Sequence, residues 1–367
     1  MAAMLWDIFC RVIDNFGDIG VCWRLSADLA SRGHRVRLWI DDASALAWMA
    51  PSQNGVEVHA WQQAESAPPS PGDVVIEAFG CHPPDAFVSC MQRDTPPTWI
   101  NLEYLSAEDY VERSHGLLSP VWSGPGTGLR KWFFYPGFTQ RTGGLLREPN
   151  LIARRDAFLA NPHARYDWLR SIGVDAEPGR ACVSVFCYDS APLGSWLSSL
   201  AQDSVTVLLT PGPATRLARQ WVEAHPGAPR TLRLHELPHL SQREFDHLLW
   251  SCDLNLVRGE DSAVRALWSG RPHVWQIYEQ DDGVHADKLD AFLTLWLAQW
   301  PAPLADQVRQ IWRSWNGLNS DAAPLSDLLN LAVKQADWGR FSLLTSQKLA
   351  NQQDLTSQLL EFVTRPR

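Results

Sequence analysis

The 367-residue sequence holds no stretch of about 18 consecutive apolar residues, the length a helix needs to cross a bilayer, so a membrane-spanning helix is not expected. Its opening residues, MAAMLWDIFCRV, lack the basic segment, long apolar segment and small-residue cleavage site of a secretory leader, and the expected location is cytoplasmic. Cysteine is sparse. Seven residues (Cys10, Cys22, Cys81, Cys90, Cys182, Cys187, Cys252) are scattered without a C-x-x-C pair, which speaks against a disulfide framework and a zinc knuckle and for buried thiols. An excess of basic charge is also missing: the formal net charge of -9 argues against a nucleic-acid backbone as partner. No short-period repeat or low-complexity stretch points to a solenoid. No G-x-S-x-G elbow or Ser/His/Asp triad is present, and DNFGDIG offers Gly17-x-x-Gly20 without the leading glycine of a dinucleotide fingerprint.

What is present is ordinary for a soluble globular chain, with 45% hydrophobic and 20% charged residues. The length suggests about two domains at roughly 150 residues each. Nineteen tryptophans are spaced singly along helix and strand patterns, as in WLSSL and LLWSCDL, where packing explains most of them. From residue 5 to about 145, short β-rich runs (RVRLWI, DVVIEAF, TWINLEYL) alternate with helical stretches, the signature of a doubly wound parallel sheet. FFYPGFTQRTGGLLREPN is rich in turn formers and reads as a domain margin, followed by one helical stretch from Leu151 to Ile172. A second series runs from ACVSVFCYDS through SVTVLLTPG, a helix near 213–224, TLRLHEL, SQREFDHLLWS, CDLNLVRG and SAVRALWSG to RPHVWQIY. Helical patterns dominate from about 287 to 363. The expected organisation is a Rossmann-like domain over 1–150, a connecting helical segment over 151–178, a second Rossmann-like domain over 179–340, and a helical tail over 341–367 that packs back on the first domain. Two such domains facing a central cleft are a known way to hold a small ligand. Transferases that take sugars from nucleotide donors are built like this, and so are periplasmic-type binding proteins, which carry a leader.

Several constellations could carry chemistry. In VIDNFGDIGVCWRL the first strand gives way to a loop with two carboxylates, Asp14 and Asp18, at the sheet edge where open α/β folds bind ligands. With a helix starting near Ile19, Asp18 as N-cap and Asp14 closing an Asx turn is the better reading from spacing alone. In NLVRGEDSAVRALWSG, Gly259 frees the backbone where a helix begins. Its N–H groups, the Ser262 hydroxyl and the Arg258 guanidinium could hold a diphosphate, while Glu260 and Asp261 meet sugar hydroxyls or balance Arg258. A capped helix with an acidic first turn would look the same. In SVFCYD, Phe186 and Tyr188 are two apart on one strand face, suited to stacking on a base, although core packing is the commoner reason for such a pair. HELPH matches the H-E-x-x-H zinc pattern, but Pro238 would break the helix that the pattern needs. EQDDG, Glu279 to Gly283, reads as a solvated turn rather than a metal loop.

VIDNFGDIGVCWRL and LLWSCDLNLVRGEDSAVRALWSGRPHVWQIYEQDDGVHADKLDAFL, with SVFCYD and LSQREFDHLLW, together resemble the bacterial EarP family, protein-arginine rhamnosyltransferases that modify and activate elongation factor P. The resemblance runs through most of the chain. It implies a GT-B fold, a dTDP-β-L-rhamnose donor as substrate with no cofactor and no metal, inversion at the anomeric carbon, and elongation factor P as protein partner, with no role for nucleic acid or membrane. It further implies catalytic roles for Asp14, Asp18 (the base) and Glu260, base stacking by Phe186 and Tyr188, and donor contacts from Gln242, Arg258, Asp261 and Ser262. Asn15 and Gly17 join the substrate-binding loop, and His239 replaces a family aromatic near LPHL.

Guanidinium chemistry agrees with this. An arginine stays protonated, with a pKa above about 12, and is a poor nucleophile until carboxylates bind its N–H groups, localise electron density on one nitrogen and take the proton. A transferase with a small-molecule acceptor and a non-catalytic nucleotide-sugar-binding regulator remain open beside this reading.

Overall fold

The computed structural model describes residues 2–13, 16–52, 55–200, 203–227, 231–279, 283–319 and 323–365, and the chain divides into two compact units. Unit 1 comprises Met1–Glu148 with Ala350–Arg367, and unit 2 comprises Pro149–Leu349.

Unit 1 is built on seven strands: β1 (Leu5–Cys10), β2 (Arg35–Ile40), β3 (Val56–Ala60), β4 (Val74–Ala78), β5 (Thr98–Leu102), β6 (Leu118–Pro120) and β7 (Arg130–Phe134). Their order is β3-β2-β1-β4-β5-β7-β6, parallel except for the short edge strand β6 against β7. Strand alternation divides the core. Trp6, Ile8 and Cys10 of β1 pack on one face with Ile19, Trp23, Leu25 and Leu29 of the helix Gly17–Ser31, whereas Phe9 joins Trp39, Trp61 and Trp99 on the other. On the Phe9 side Asp7 is fully buried, and its carboxylate accepts from Arg37 Nε (2.6 Å) and Nη2 (2.7 Å), Trp39 Nε1 (2.8 Å) and the Gly72 amide (2.7 Å). Every carboxylate lone pair there has a donor to meet, which is what permits a charge at that depth.

The C-terminal helix Leu355–Thr364 completes unit 1 by placing Leu355, Leu359 and Leu360 in the core beside Trp23 and Leu29. Asp354 caps it, accepting from the Ser357 amide at 2.9 Å, and Arg32 clamps it by pairing with both Asp28 (2.9 Å) and Asp354 (2.8 Å).

Unit 2 carries five parallel strands, β8 (Ala181–Val185), β9 (Val205–Leu209), β10 (Leu232–Glu236), β11 (Leu254–Arg258) and β12 (His273–Gln276), in the order β10-β9-β8-β11-β12. Two helices, Leu151–Ala160 and Ala164–Ser171, stand where the sequence suggests one, because the chain turns through Asn161–His163. The segment read as a connector lies within unit 2: Leu169 and Val174 pack with Cys182, Leu208 and Leu248, and Arg165 forms a two-pronged bond to Asp253 at 2.9 and 2.7 Å. The tail divides likewise. Helix Ala336–Ala350 is anchored in unit 2 by buried Trp338 and by Arg155, which donates to Ser346 Oγ (3.3 Å) and to the Trp268 carbonyl (2.7 Å).

The first residue of β12, His273, is fully buried edge-on to Trp296 and Trp312. Burial holds its pKa down at about 4, so the folded protein keeps this ring neutral where the unfolded chain, with a pKa near 6.5, takes up a proton. Stability is therefore full above about pH 6.5 and is lost as pH falls toward 4, this histidine accounting for about 3 kcal/mol. Urea unfolding followed from pH 7.5 to 4.5 should show that decline, and His273→Phe should flatten it.

Candidate active site

Both sheets reverse direction beside their first strand. From β1 the chain winds to β2 and β3 on one side and resumes at β4 on the other; from β8 it winds to β9 and β10 and resumes at β11. The crevice outside the carboxyl ends of the strands at such a reversal is where open α/β sheets bind ligands. Most residues singled out in the sequence lie at or just beyond the ends of β1, β8 and β11, and Gln242 and His239 follow β10.

In unit 1 the loop after β1 leads into the helix Gly17–Ser31, which begins two residues earlier than the sequence suggests. Phe16 is the N-cap and offers no side-chain cap, and the first helical bond runs from the Gly20 amide to the Phe16 carbonyl at 3.0 Å. Asp18 is thus a second-position helical residue and not the N-cap. Its buried carboxylate accepts from the Ile13 amide at 2.8 Å, tying the start of the helix to the chain just beyond β1. That position also puts a negative charge at a helix N-terminus, where the dipole favours it. Asp14 and Asn15 lie outside the described residues, so the Asx turn does too.

In unit 2 strand β8 ends at Val185, one residue before the aromatic pair. Phe186 and Tyr188 nevertheless share a side, with Cys187 turned into the core, where burial pushes its thiol up to about 12. Arg258, the last residue of β11 and almost wholly buried, places its guanidinium 4.5 Å from each ring centre. Two aromatic faces hold this cation, and it makes no ion pair with any described residue. Gln276, ending β12 beside Arg258, accepts from the Tyr188 amide at 2.8 Å and donates to Ser190 Oγ at 3.2 Å, which fixes the 186–190 loop.

Immediately after Arg258, Gly259 adopts φ +67° and ψ 173°, a conformation that only glycine takes readily, and starts the helix Glu260–Ser269. The amides of its first turn have no acceptor within the helix, as at any helix N-terminus. Ser262 is buried in that turn. Glu260 does not balance Arg258 but pairs with Lys288 at 3.1 Å. The neighbouring helix Gln242–Ser251 begins at Gln242 behind a Ser241–Glu244 capping box, and its Phe245, one turn on, meets Phe186 edge-on at 6.0 Å. His235 and Glu236 end β10, whereas Leu237–Ser241 is irregular, so HELPH forms no metal-binding helix. His239 is exposed in that segment. Among the described residues no group of three or more His, Cys, Asp or Glu could hold a metal ion. Residues 280–282 of EQDDG lie outside the described residues.

Sequence reasoning did not single out Gln276, Tyr278 or Lys288. Gln276 was discoverable, since a strand beside the reversal ends there. Tyr278, half exposed and edge-on to Tyr188 at 5.6 Å, follows two residues later. Lys288 carried no signal, being 28 positions from its partner. A surface groove of about 410 Å³ along the helix Pro213–Ala224 contains none of the predicted residues.

Two Rossmann-like units, each with a parallel sheet that reverses beside its first strand, are the architecture of GT-B glycosyltransferases. Comparison with known proteins narrows the class. The family model described as Elongation-Factor P (EF-P) rhamnosyltransferase EarP matches residues 6–364. A protein-arginine rhamnosyltransferase of Pseudomonas putida is 48% identical over 334 residues, covering 85% of this chain and 86% of that one. A solved structure described as the basis for EarP-mediated arginine glycosylation of translation elongation factor EF-P superposes with a TM-score of 0.69 at 32% identity, covering 98% of both chains. The glycosyltransferase SnogD from Streptomyces nogalater, 14% identical with a TM-score of 0.54 over 99% of both chains, shares the fold. The chain belongs to the EarP family of elongation factor P rhamnosyltransferases.

The helices Gln242–Ser251 and Glu260–Ser269 are joined by Asp246 and Arg265, a buried two-pronged pair at 2.7 and 2.6 Å. Asp246→Ala strands a buried guanidinium, and urea denaturation should register a loss of about 3–5 kcal/mol, whereas a change under 1 kcal/mol would mean that the helices are held by packing alone.

Proposed function

We propose that this enzyme moves rhamnose from dTDP-β-L-rhamnose to an arginine side chain of elongation factor P, inverting the anomeric carbon and needing no metal. The observation that carries the donor side is Arg258. A nearly buried cation held by two rings and unpaired with any described carboxylate, next to a helix N-terminus, is a site for an anion that arrives with a flat base. Arg258, the Ser262 hydroxyl and the first-turn amides meet the diphosphate, Phe186 and Tyr188 take the thymine with support from Gln242, and Asp261 and Glu260 face the ribose and sugar.

On the acceptor side, the guanidinium binds the carboxylates of the β1 loop. Asp18 serves as base, and Asp14, with Asn15 and Gly17 in the same loop, completes the acceptor site by motif match. One guanidinium nitrogen forms a bond to C1 of rhamnose from the face opposite the leaving group as the C1–oxygen bond to dTDP breaks. The nitrogen's proton passes to Asp18, and the developing diphosphate charge is met by Arg258 and the helix amides. The nitrogen would otherwise keep its proton and its positive charge through the attack, so a carboxylate at this place supplies what the guanidinium lacks. Since the acceptor is a translation factor, the reaction belongs to the compartment where translation runs.

Mixing the purified enzyme, dTDP-β-L-rhamnose and unmodified elongation factor P should add the mass of one deoxyhexosyl group to a single arginine. NMR of the product should show the α-anomer, and the rate should be unchanged by EDTA. A β-linked product would overturn inversion, loss of rate in EDTA would overturn metal independence, and faster modification of free arginine than of the intact factor would favour a small-molecule acceptor.

A further inference from the structure

Glu260 opens the helix Glu260–Ser269, and a glutamate at that position ordinarily has water around it and several rotamers available. Here its Oε1 lies 3.1 Å from Lys288 Nζ, with both side chains about four-fifths covered. Lys288 comes from a different element, the helix Val284–Trp296, and that helix is firmly seated. Leu289, Phe292, Leu293 and Trp296 are buried, and the Phe292 ring stands edge-on to Trp275 of β12 at 5.5 Å. Phe292 is one turn beyond Lys288, so the packing that locks the ring also locks the base of the lysine side chain. Strand β12 pairs in register with β11, whose last residue is Arg258. Lysine, carboxylate and diphosphate-binding cation are thus tied to one rigid frame.

We propose that Lys288 is the positioning residue for Glu260: its ammonium holds the carboxylate in one orientation so that the acid enters the reaction already aligned. The inference rests on the role assigned to Glu260 under Proposed function. Each side chain keeps about a fifth of its surface open to water, and an ion pair with that access adds little to stability. Its use lies in orientation, where a misplacement of about 1 Å can cost a hundredfold in rate. Lys288 itself contacts neither sugar nor phosphate in this account and acts through the carboxylate.

Steady-state rates of rhamnosyl transfer, donor KM and thermal midpoints of Lys288→Met, Lys288→Arg, Glu260→Gln and the Lys288→Met/Glu260→Gln double variant test this. Lys288→Met should lower kcat by about tenfold or more with donor KM and thermal midpoint essentially unmoved, and Lys288→Arg should restore most of the rate. The double variant should be no slower than Glu260→Gln alone, since a lysine that works through Glu260 has nothing left to position. Wild-type kcat in Lys288→Met, losses that multiply in the double variant, or a raised donor KM with kcat intact would each overturn the role of Lys288 while leaving Glu260 in place. Wild-type kcat in Glu260→Gln would instead overturn the underlying role of Glu260, and so separates the two failures.

Discussion

A guanidinium held against two aromatic rings is the interaction on which the proposed donor site of unit 2 depends. Arg258 ends the strand at the sheet reversal, and Phe186 and Tyr188 leave the adjacent strand at the same level, so the three side chains meet because β8 and β11 are neighbours. The rings hold the cation in place without neutralising it. A carboxylate in their position would have stabilised the empty protein more and left less attraction for an incoming anion. The surrounding structure supports this arrangement through backbone and buried charge: Gln276 pins the loop that carries the rings, Gly259 turns the chain from Arg258 into the next helix, and the Arg265–Asp246 pair ties the two flanking helices.

The two units treat charge in opposite ways, and the chemistry of the proposed reaction follows from that. Unit 1 places a buried carboxylate at the first turn of the helix after β1, held by the Ile13 amide; unit 2 places a buried cation and a carboxylate steadied by a lysine after β11. Both loops occupy the position where α/β proteins commonly cradle phosphate. Only the second has the charge for it. The first suits a cation, and a guanidinium is a cation that has to lose a proton before its nitrogen can keep a new bond.

Much of this was legible in the sequence because it depended on local pattern. The alternation of short apolar runs with amphipathic stretches marked β1, β2, β4 and β5 of the first sheet and all five strands of the second, but not β3, β6 or β7, and the helix near 213–224 is found at Pro213–Ala224. Gly259 marked the turn into its helix. What local pattern could not reveal was partnership. Capping looked the better reading of Asp18 until the carboxylate proved to lie inside the helix and to bond Ile13, five residues back. Phe186 and Tyr188 looked like core until Arg258, some seventy positions away, was found against them. The Glu260–Lys288 pair is a long-range packing outcome with no spacing signal at all. For Asp14 and Asn15 the motif match remains the basis of assignment.

Titration calorimetry of dTDP against the wild-type enzyme, Arg258→Met and Asp18→Asn, with transfer rates measured on the same samples, tests the division of charge most directly. The account predicts that Arg258→Met weakens dTDP binding by at least about tenfold, the worth of a charge-assisted phosphate contact, and that Asp18→Asn binds dTDP as the wild type does while its turnover collapses. Wild-type dTDP affinity in Arg258→Met, or an Asp18→Asn variant that loses affinity and turnover together, would contradict it.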